Sequence, residues 1–332
     1  MMGTDYVLSS VIAPYIKGLL EEKRSLGYNY RSEELILNRF DHYCVETGLD
    51  TENITREALG GWLEKTANEG ACNQGKRISV VRQLLLYMAS LGIRVYIPQD
   101  FCHFERKMPH ILSAGELAGL FEAIDSYQPG GSGSHNRNLV RLSHEYRLLF
   151  RMIYACGLRN SEAAGIGVSE VNLDAGILTI LNAKKQKDRL VYMADDLTAL
   201  CRDYYAYLCD DLGFKPQWFF PSSDPDKPLR NTTVDRRFAE AWANTAYAKC
   251  CNDKPVVHDL RFTFVTNRIN QWAEEGEDIH VMLPYLSMYL GHKSISETHY
   301  YYHLTLEASR IAHMKDRTSA LVIPEVISYE YE

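Results

Sequence analysis

The sequence predicts a mostly α-helical protein with a small antiparallel β-sheet, an α+β fold built from two domains. Apolar residues recur at helical spacing through the first hundred residues and again after about residue 193. Between residues 170 and 193 the pattern changes to short β-like runs separated by turn sequences. A chain of 332 residues is long enough for two domains. The sheet is therefore expected inside an otherwise helical second domain.

The first domain, residues 1–100, is predicted to be helical. Two helices are expected at 31–47 and 75–91, because apolar residues there fall on one face. Three basic residues lie near the start of the second helix: Lys76, Arg77 and Arg82. They mark either a basic binding surface or an ordinary solvated face, and the pattern favours neither interpretation.

Residues 101–111 are predicted to be a linker, because Pro109 and mixed charges interrupt the periodicity. The second domain is expected to span 112–332 and to begin with a helix whose capping box pairs Ser113 with Glu116. The carboxy-terminal tail contains an apolar segment at 320–327. We expect this tail to dock, either on its own domain or on a neighbouring subunit.

Composition narrows the class of protein. Hydrophobic residues make up 46% and charged residues 24%, which is ordinary for a globular protein. No apolar run is long enough to span a membrane, and no signal peptide is apparent. The eight cysteines form no C-x-x-C pair, so no zinc or redox motif is indicated and a cytoplasmic location is expected. The formal net charge of −7 requires that any surface for a polyanion be a segregated basic face.

Several polar motifs follow one another in the second domain. Gly157-Leu158-Arg159 comes at the end of an apolar helix, and Lys184 lies in a turn between two strands. His258 and Arg261 share a face at the start of a later helix, being three residues apart. The remaining members are His292, after Leu290-Gly291, and Tyr301, nine residues further on.

These residue types suit the transfer of a phosphodiester to a protein hydroxyl. Arginine binds the charge that develops on the non-bridging oxygens, because its planar fork can contact two of them. A hydroxyl group must attack in line, and an acid must protonate the leaving oxygen. The chain has no G-x-x-x-x-G-K-[ST] loop, which indicates that no nucleoside triphosphate is used.

The motifs resemble those of the tyrosine recombinase (phage integrase) family across roughly residues 110–312. GLRNSEA (157–163) is similar to its first-arginine motif, and HDLR (258–261) to its H-x-x-R motif. LGH (290–292) with the following tyrosine resembles the final box, and 182–191 resembles the β-hairpin lysine segment. Each motif alone is weak, but their shared order and spacing make coincidence improbable. The resemblance implies an integrase of a mobile element, with two domains forming a C-shaped clamp on DNA.

The resemblance also implies roles for individual residues. Arg159 and Arg261 are expected to clamp the scissile phosphate. His258 is expected to accept the tyrosine proton or return it, and His292 to donate a hydrogen bond to the phosphate. Glu162, one helical turn after Arg159, is predicted to hold that arginine or a nearby histidine.

The nucleophile and the general acid each have neighbours of the same type. The family's spacing selects Tyr301 from the run 300–302, and consecutive helical side chains point about 100° apart. It also selects Lys184 as the acid for the leaving 5′ oxygen. Lys185 and Lys187 share the turn, so the assignment among the three lysines stays open.

The resemblance implies cleavage and rejoining of DNA strands through a 3′-phosphotyrosyl bond and a Holliday junction, with no cofactor and no metal. The expected partners are double-stranded recombination sites, further copies in a homo-tetramer on DNA, and possible sister recombinases; no membrane is involved. The free protein is expected to be a monomer or dimer, in the cytoplasm with the nucleoid. Candidate DNA contacts are Lys76, Arg77, Arg82, Lys185 and Lys187.

Three other functions are weaker interpretations of the same motifs. A type IB topoisomerase-like enzyme uses similar chemistry, but the motifs match integrases better. A non-catalytic DNA-binding accessory should lack a catalytic residue, whereas every one is present here. A metal-dependent nuclease needs clustered carboxylates, which do not coincide with these motifs. One departure from the family is Phe262, where histidine is common, and no catalytic role is assigned to that position.

Overall fold

A computed structural model describes residues 6–99, 108–127, 137–181, 188–251 and 254–302. The chain divides into two compact units, Met1–Lys107 and Met108–Glu332. Each unit has its own apolar core. Within the described ranges, no helix is long and apolar enough to cross a lipid bilayer.

The described part of the first unit is helical. Leu37 and Phe40 of its second helix are fully buried against Leu84 of its fourth, as helical periodicity predicts. Leu35, which was expected on the same apolar face, is instead 60% exposed. The helices are α1 (Ala13–Ser25), α2 (Arg31–Thr47), α3 (Gly60–Leu63) and α4 (Ala71–Ser90).

Helix α4 begins four residues before the predicted start at Gly75. Gly70 has an extended backbone and precedes the first helical residue, Ala71. Gly75 is buried inside the helix rather than ending a loop, because it lies on the face that packs into the unit. A glycine was therefore mistaken for a boundary when it serves close packing.

The second unit contains the small sheet among its described helices. Its helices are α5 (Ala114–Asp125), α6 (Arg137–Cys156), α7 (Asn160–Ala164), α8 (Asp195–Leu212), α9 (Asn231–Ala243), α10 (Val257–Glu275), α11 (Ile279–Leu290) and α12 (Ile295–Tyr302). Its strands are β1 (Val171–Asn172), β2 (Ile177–Ile180) and β3 (Arg189–Tyr192). The predicted fold class, mostly helical with a small antiparallel sheet, is confirmed.

The sheet has the order β1-β2-β3, and both pairs are antiparallel. The predicted turn at 174–176 joins β1 to β2, and Gly176 has a φ of +65°, which favours glycine. On β3, Arg189 and Val191 point inward while the residues between and after them are exposed. The second predicted turn, with its three lysines, lies outside the described residues.

The predicted capping box at the start of α5 is confirmed. Ser113 accepts a hydrogen bond from the Glu116 backbone, and the Glu116 carboxylate accepts one from the Ser113 backbone at 2.8 Å. A second, smaller apolar cluster joins α10, α11 and α12 and includes Leu283, Leu290 and Tyr301. This cluster positions the end of the described chain against the first turns of α10.

Candidate active site

The first arginine motif lies in a tight turn between α6 and α7. Gly157 follows the end of α6 with a φ of +60°, and a Cβ there would lie 2.5 Å from the ring of Phe264. Only glycine fits this conformation and this close contact without strain. The turn makes Arg159 the residue immediately before α7, with an extended backbone.

Arg261 joins the ends of two helices. Its side chain is fully buried on the first turn of α10. It donates hydrogen bonds to the carbonyl oxygens of Gly157 at 2.6 Å and Leu290 at 2.8 Å. Its Nη2 lies 3.1 Å from Nε2 of His292. The segments that carry three separate motifs therefore meet at one guanidinium group.

One carboxylate lies among three arginines. Glu162 pairs with Arg159 at 2.8 Å and with Arg189 at 2.7 Å, and its Oε2 is 3.9 Å from Arg261. Burial alone raises the pKa of Glu162, but hydrogen bonds from Arg189 and from the Arg159 backbone outweigh it and lower the pKa to about 2. Glu162 thus contacts Arg159, one of the two partners expected for it. Three arginines share one carboxylate, so the cluster keeps a net positive charge.

The two histidines differ in exposure but share a lowered pKa. His258 is exposed on the first turn of α10 and makes an edge contact with Phe262 at 5.0 Å. Desolvation by the surrounding protein, followed by repulsion from Arg261 and Arg159, lowers the pKa of His258 to about 4. The imidazole is neutral at pH 7, as a proton acceptor must be.

His292 is held between an arginine and a threonine. Gly291 ends α11 in the predicted left-handed conformation, with a φ of 64°. Arg261 can only donate, so Nε2 of His292 accepts from it and Nδ1 carries the proton. Nδ1 then donates to Oγ1 of Thr298 at 2.7 Å. Burial and the nearby arginines lower the pKa of His292 to about 3.

Tyr301 packs directly on these groups. Its ring lies parallel to that of His292, with centroids 5.5 Å apart, and stacks on Phe262 at 4.7 Å. Tyr301 is 6% exposed, whereas its two neighbours are half-buried. Tyr300 contacts the edge of Phe262, and Tyr302 lies near His280. Of the three tyrosines, it is Tyr301 that faces His292. Burial lowers the pKa of Arg261, and the charge interaction with Tyr301 opposes that shift.

Comparison with known proteins agrees with this arrangement. Residues 134–307, more than half of the chain, match the family model described as "Phage integrase family". The chain belongs to the phage integrase family. The predicted resemblance to tyrosine recombinases is thereby confirmed, and the chain is a tyrosine site-specific recombinase. The topoisomerase-like and accessory interpretations gain no support.

Similar proteins cover nearly the whole chain. An integrase/recombinase of Sinorhizobium fredii, y4rE, is 30% identical over 86% of this chain and 89% of its own length. The tyrosine recombinase XerD of Proteus mirabilis is 24% identical over 92% of both chains. The Tn1549 transposon integrase, in complex with a circular intermediate DNA, covers 92% of this chain and 100% of its own, with a TM-score of 0.64 and 13% identity. The structural likeness shows a shared fold.

The family motifs did not reveal every residue of the cluster. Arg189 was not singled out from the sequence, yet it donates to both oxygens of Glu162 and, through Nε, to the carbonyl of Tyr289 at 2.9 Å. The available signal was alternation, since Arg189 shares the inward face of β3 with Val191. An arginine on the apolar face of a strand needs a buried acceptor. Thr298, the acceptor for His292, was likewise missed.

Other predicted residues lie outside this cluster. Lys184, Lys185 and Lys187 fall outside the described residues. In the first unit, Lys76 is exposed and Arg82 donates to the carbonyl of Pro98 at 3.0 Å. These positions remain predictions as DNA contacts.

The prediction that Arg77 faces DNA is wrong. Its side chain is buried, donates to the carbonyls of Trp62 and Glu64, and pairs with Glu69 at 2.7 Å. The guanidinium also lies over the Trp62 ring. Arg77 was grouped with Lys76 because the two residues are adjacent in the sequence. In the fold, a neighbouring loop covers the Arg77 side chain and accepts its hydrogen bonds.

Among the described residues, one group of three potential metal ligands lies close together: His110, Glu116 and Cys251. None of the three belongs to the arginine cluster. Glu162, the acid within that cluster, is already bound by arginines. The described active-site residues therefore present cations, not a carboxylate pair suited to a metal ion.

Proposed function

We propose that this recombinase cleaves and rejoins double-stranded DNA at specific sites, with Tyr301 as the nucleophile that forms a 3′-phosphotyrosyl bond. The observation that carries the proposal is the stacking of Tyr301 on His292 beside the fully buried Arg261. A phosphate bound by the arginines lies within reach of this phenol. The bond to tyrosine stores the energy of the broken phosphodiester, so rejoining needs no cofactor.

Phosphate binding falls to Arg159 and Arg261. Arg159 has 32% of its side chain exposed and is the accessible cation of the pair. Arg261 is pre-positioned by two carbonyl oxygens, which fix its planar fork before DNA arrives. Glu162 orients Arg159, and Arg189 in turn holds Glu162 in place. Since one carboxylate neutralises part of three positive charges, the remaining charge attracts the phosphate.

Proton transfer falls to the histidines and to a lysine. His258 is neutral at pH 7 and can take the phenolic proton of Tyr301 as the oxygen attacks phosphorus. His292 must release Arg261 and acquire a proton at Nε2 before it can donate to the phosphate. Thr298 can keep its contact with Nδ1 throughout this change. Lys184 is proposed to protonate the leaving 5′ oxygen, with Lys185 and Lys187 as alternatives.

The proposed assembly follows the family. In this proposal residues 1–100 are a helical core-binding domain, 101–111 a linker, and 112–332 the catalytic domain, and both domains bind DNA. Two recombination sites are brought together by a homo-tetramer that passes through a Holliday junction, with sister recombinases as further possible members. The Tn1549 integrase, a transposon protein solved with DNA, supports a mobile element as the setting. Because its proposed substrate is DNA, we propose that the protein lies with the nucleoid in the cytoplasm.

The test is covalent trapping on a nicked suicide substrate made from the element's own end DNA. Wild-type protein is expected to form a protein–DNA adduct that survives denaturing gels, with or without EDTA. Tyr301→Phe should bind the same DNA without forming the adduct, while Tyr300→Phe and Tyr302→Phe should still form it. An adduct with Tyr301→Phe, or cleavage that EDTA abolishes and magnesium restores, contradicts the proposal.

A further inference from the structure

A second reactive cluster lies in the catalytic unit, apart from the arginine cluster. Cys251 follows the short 3₁₀ turn Ala246–Lys249, between α9 and α10. Its Sγ lies 3.7 Å from Nδ1 of His110, a residue 141 positions earlier in the segment before α5. Nε2 of His110 lies 3.0 Å from Oε1 of Glu116. The thiol of Cys251, the imidazole of His110 and the carboxylate of Glu116 thus form a continuous series of contacts.

The charge on Glu116 determines which ring nitrogen of His110 carries the proton. Burial raises the pKa of Glu116, but hydrogen bonds from Ser113 and His110 lower it below its ordinary value overall, so the group is ionised at neutral pH. An ionised carboxylate only accepts hydrogen bonds, so Nε2 of His110 carries the proton. Nδ1 is then an acceptor, and it faces the Cys251 thiol.

The imidazole is also fixed in place. The ring of His110 makes an edge contact with the buried Trp242 at a centroid distance of 6.0 Å. Two residues later, the Leu112 backbone donates to Oγ1 of Thr263 at 3.0 Å, which ties this segment to α10. A base held by a carboxylate and by packing, and aimed at a thiol, is the arrangement that activates cysteine nucleophiles.

We propose that Cys251 is an activated nucleophile and a modification site for soft carbon electrophiles. In the reaction with an alkyl iodide, the Cys251 sulfur forms a bond to carbon while the carbon–iodine bond breaks and iodide leaves with its electron pair. The thiol proton passes to Nδ1 of His110. The resulting imidazolium is stabilised by Glu116 and later returns the proton to solvent.

The chain supplies its own matched control. Cys250 is the adjacent residue and is exposed, whereas Cys251 is only half-exposed. Cys72, on α4 of the first unit, is also exposed. If accessibility alone set the rate, Cys250 and Cys72 would react before Cys251. If His110 activates the thiol, the less accessible cysteine reacts first.

The experiment measures alkylation rates in the full-length protein at neutral pH. Substoichiometric iodoacetamide is added with EDTA present, so that trace metals do not mask thiols, and samples are quenched over time. Cys250 and Cys251 share the tryptic peptide 250–261, because trypsin does not cleave the Lys254–Pro255 bond, so fragment ions or the Cys250→Ser variant must separate them. Because an ordinary thiol is only a few per cent thiolate at pH 7, we expect Cys251 to react about tenfold faster than Cys250 or Cys72.

Three variants separate activation from folding. His110→Ala should reduce the Cys251 rate to that of Cys250, and Glu116→Gln should reduce it in part. Ser113→Ala weakens the same helix cap without removing the Glu116–His110 contact, so it should retain the fast rate. A wild-type Cys251 that reacts no faster than Cys250, as fragment ions of the shared peptide show, overturns the proposal. So does a rate advantage that survives His110→Ala.

Discussion

Two buried arginines, one in each unit, serve opposite purposes. Arg77 in the amino-terminal unit pairs with Glu69 at 2.7 Å and gives its other donors to backbone carbonyls. Arg261 in the catalytic unit also binds carbonyls, but the carboxylate of Glu162 is 3.9 Å away. Glu162 is closer to two other arginines. Arg77, paired with its own carboxylate, stabilises the fold, whereas Arg261 shares a carboxylate with two other arginines and so retains positive charge in its cluster.

The largest effect is expected at the arginine cluster. Arg159→Ala should lower the rate of covalent adduct formation by about 10²- to 10³-fold, because it removes a fixed donor to the transition state. Arg261→Lys should do the same, since lysine keeps the charge but loses the planar fork. Single-turnover cleavage of the nicked substrate measures both. If either variant cleaves at the wild-type rate while remaining folded, the arginine concerned does not bind the transition state.

The next effect concerns Arg77. Arg77→Met should lower the unfolding free energy of the amino-terminal unit by about 2 kcal/mol, because it removes the ion pair with Glu69 and leaves the Trp62 and Glu64 carbonyls without their donor. Denaturant unfolding measures this loss, and cleavage by the folded fraction should be unchanged. Lys76→Met, at the adjacent exposed position, is the control and should change stability little. Equal stability of the two variants would remove the structural role assigned to Arg77.

A smaller effect is expected in the pH dependence of stability. The pKa of His292 is about 3 in the folded protein, below its ordinary 6.5, so the unfolded state binds this proton more readily. The stability contributed is complete above pH 6.5 and is lost as pH falls toward 3. His292→Gln should therefore lose less unfolding free energy between pH 6.5 and 4.5 than wild type. Parallel curves for the two proteins would show that His292 is not held neutral.

The smallest effect is expected at Lys76, the exposed basic residue beside Arg77. If Lys76 contacts one phosphate, Lys76→Ala should reduce the slope of log affinity against log salt concentration by about 0.9. Binding titrations at several salt concentrations measure the slope. Arg77→Met should leave it unchanged, because that side chain is buried. If only Arg77→Met changed the slope, Arg77 rather than Lys76 would be the residue that contacts the phosphate.

The sequence alone was sufficient to predict features that depend on residues close together in the chain. The capping box at Ser113, the left-handed end of α11 at Gly291 and the pairing of Arg159 with Glu162 depend on residues within three positions of each other. The motif residues Arg261 and Tyr301 were found because their order matches a family. Such signals need no knowledge of which distant segments come together.

Contacts between residues far apart in the sequence could not be predicted from these local patterns. Arg77 was misplaced because Glu69 and the Trp62 carbonyl come from a loop and helix that the periodicity of α4 does not describe. Arg189 was missed because its partner, Glu162, lies 27 positions earlier. The contact between Cys251 and His110 spans 141 positions. In each case the deciding partner approaches through tertiary packing.

The acceptors of Arg261 also set an order of events during synthesis. Its guanidinium needs the carbonyl of Gly157, made early, and that of Leu290, made late, and the nucleophile Tyr301 follows later still. A ribosome-bound chain that ends before Leu290 can fold the helices around its main core but holds no completed phosphate site. The proposed phosphate site is therefore complete only after both Leu290 and Tyr301 have been synthesised.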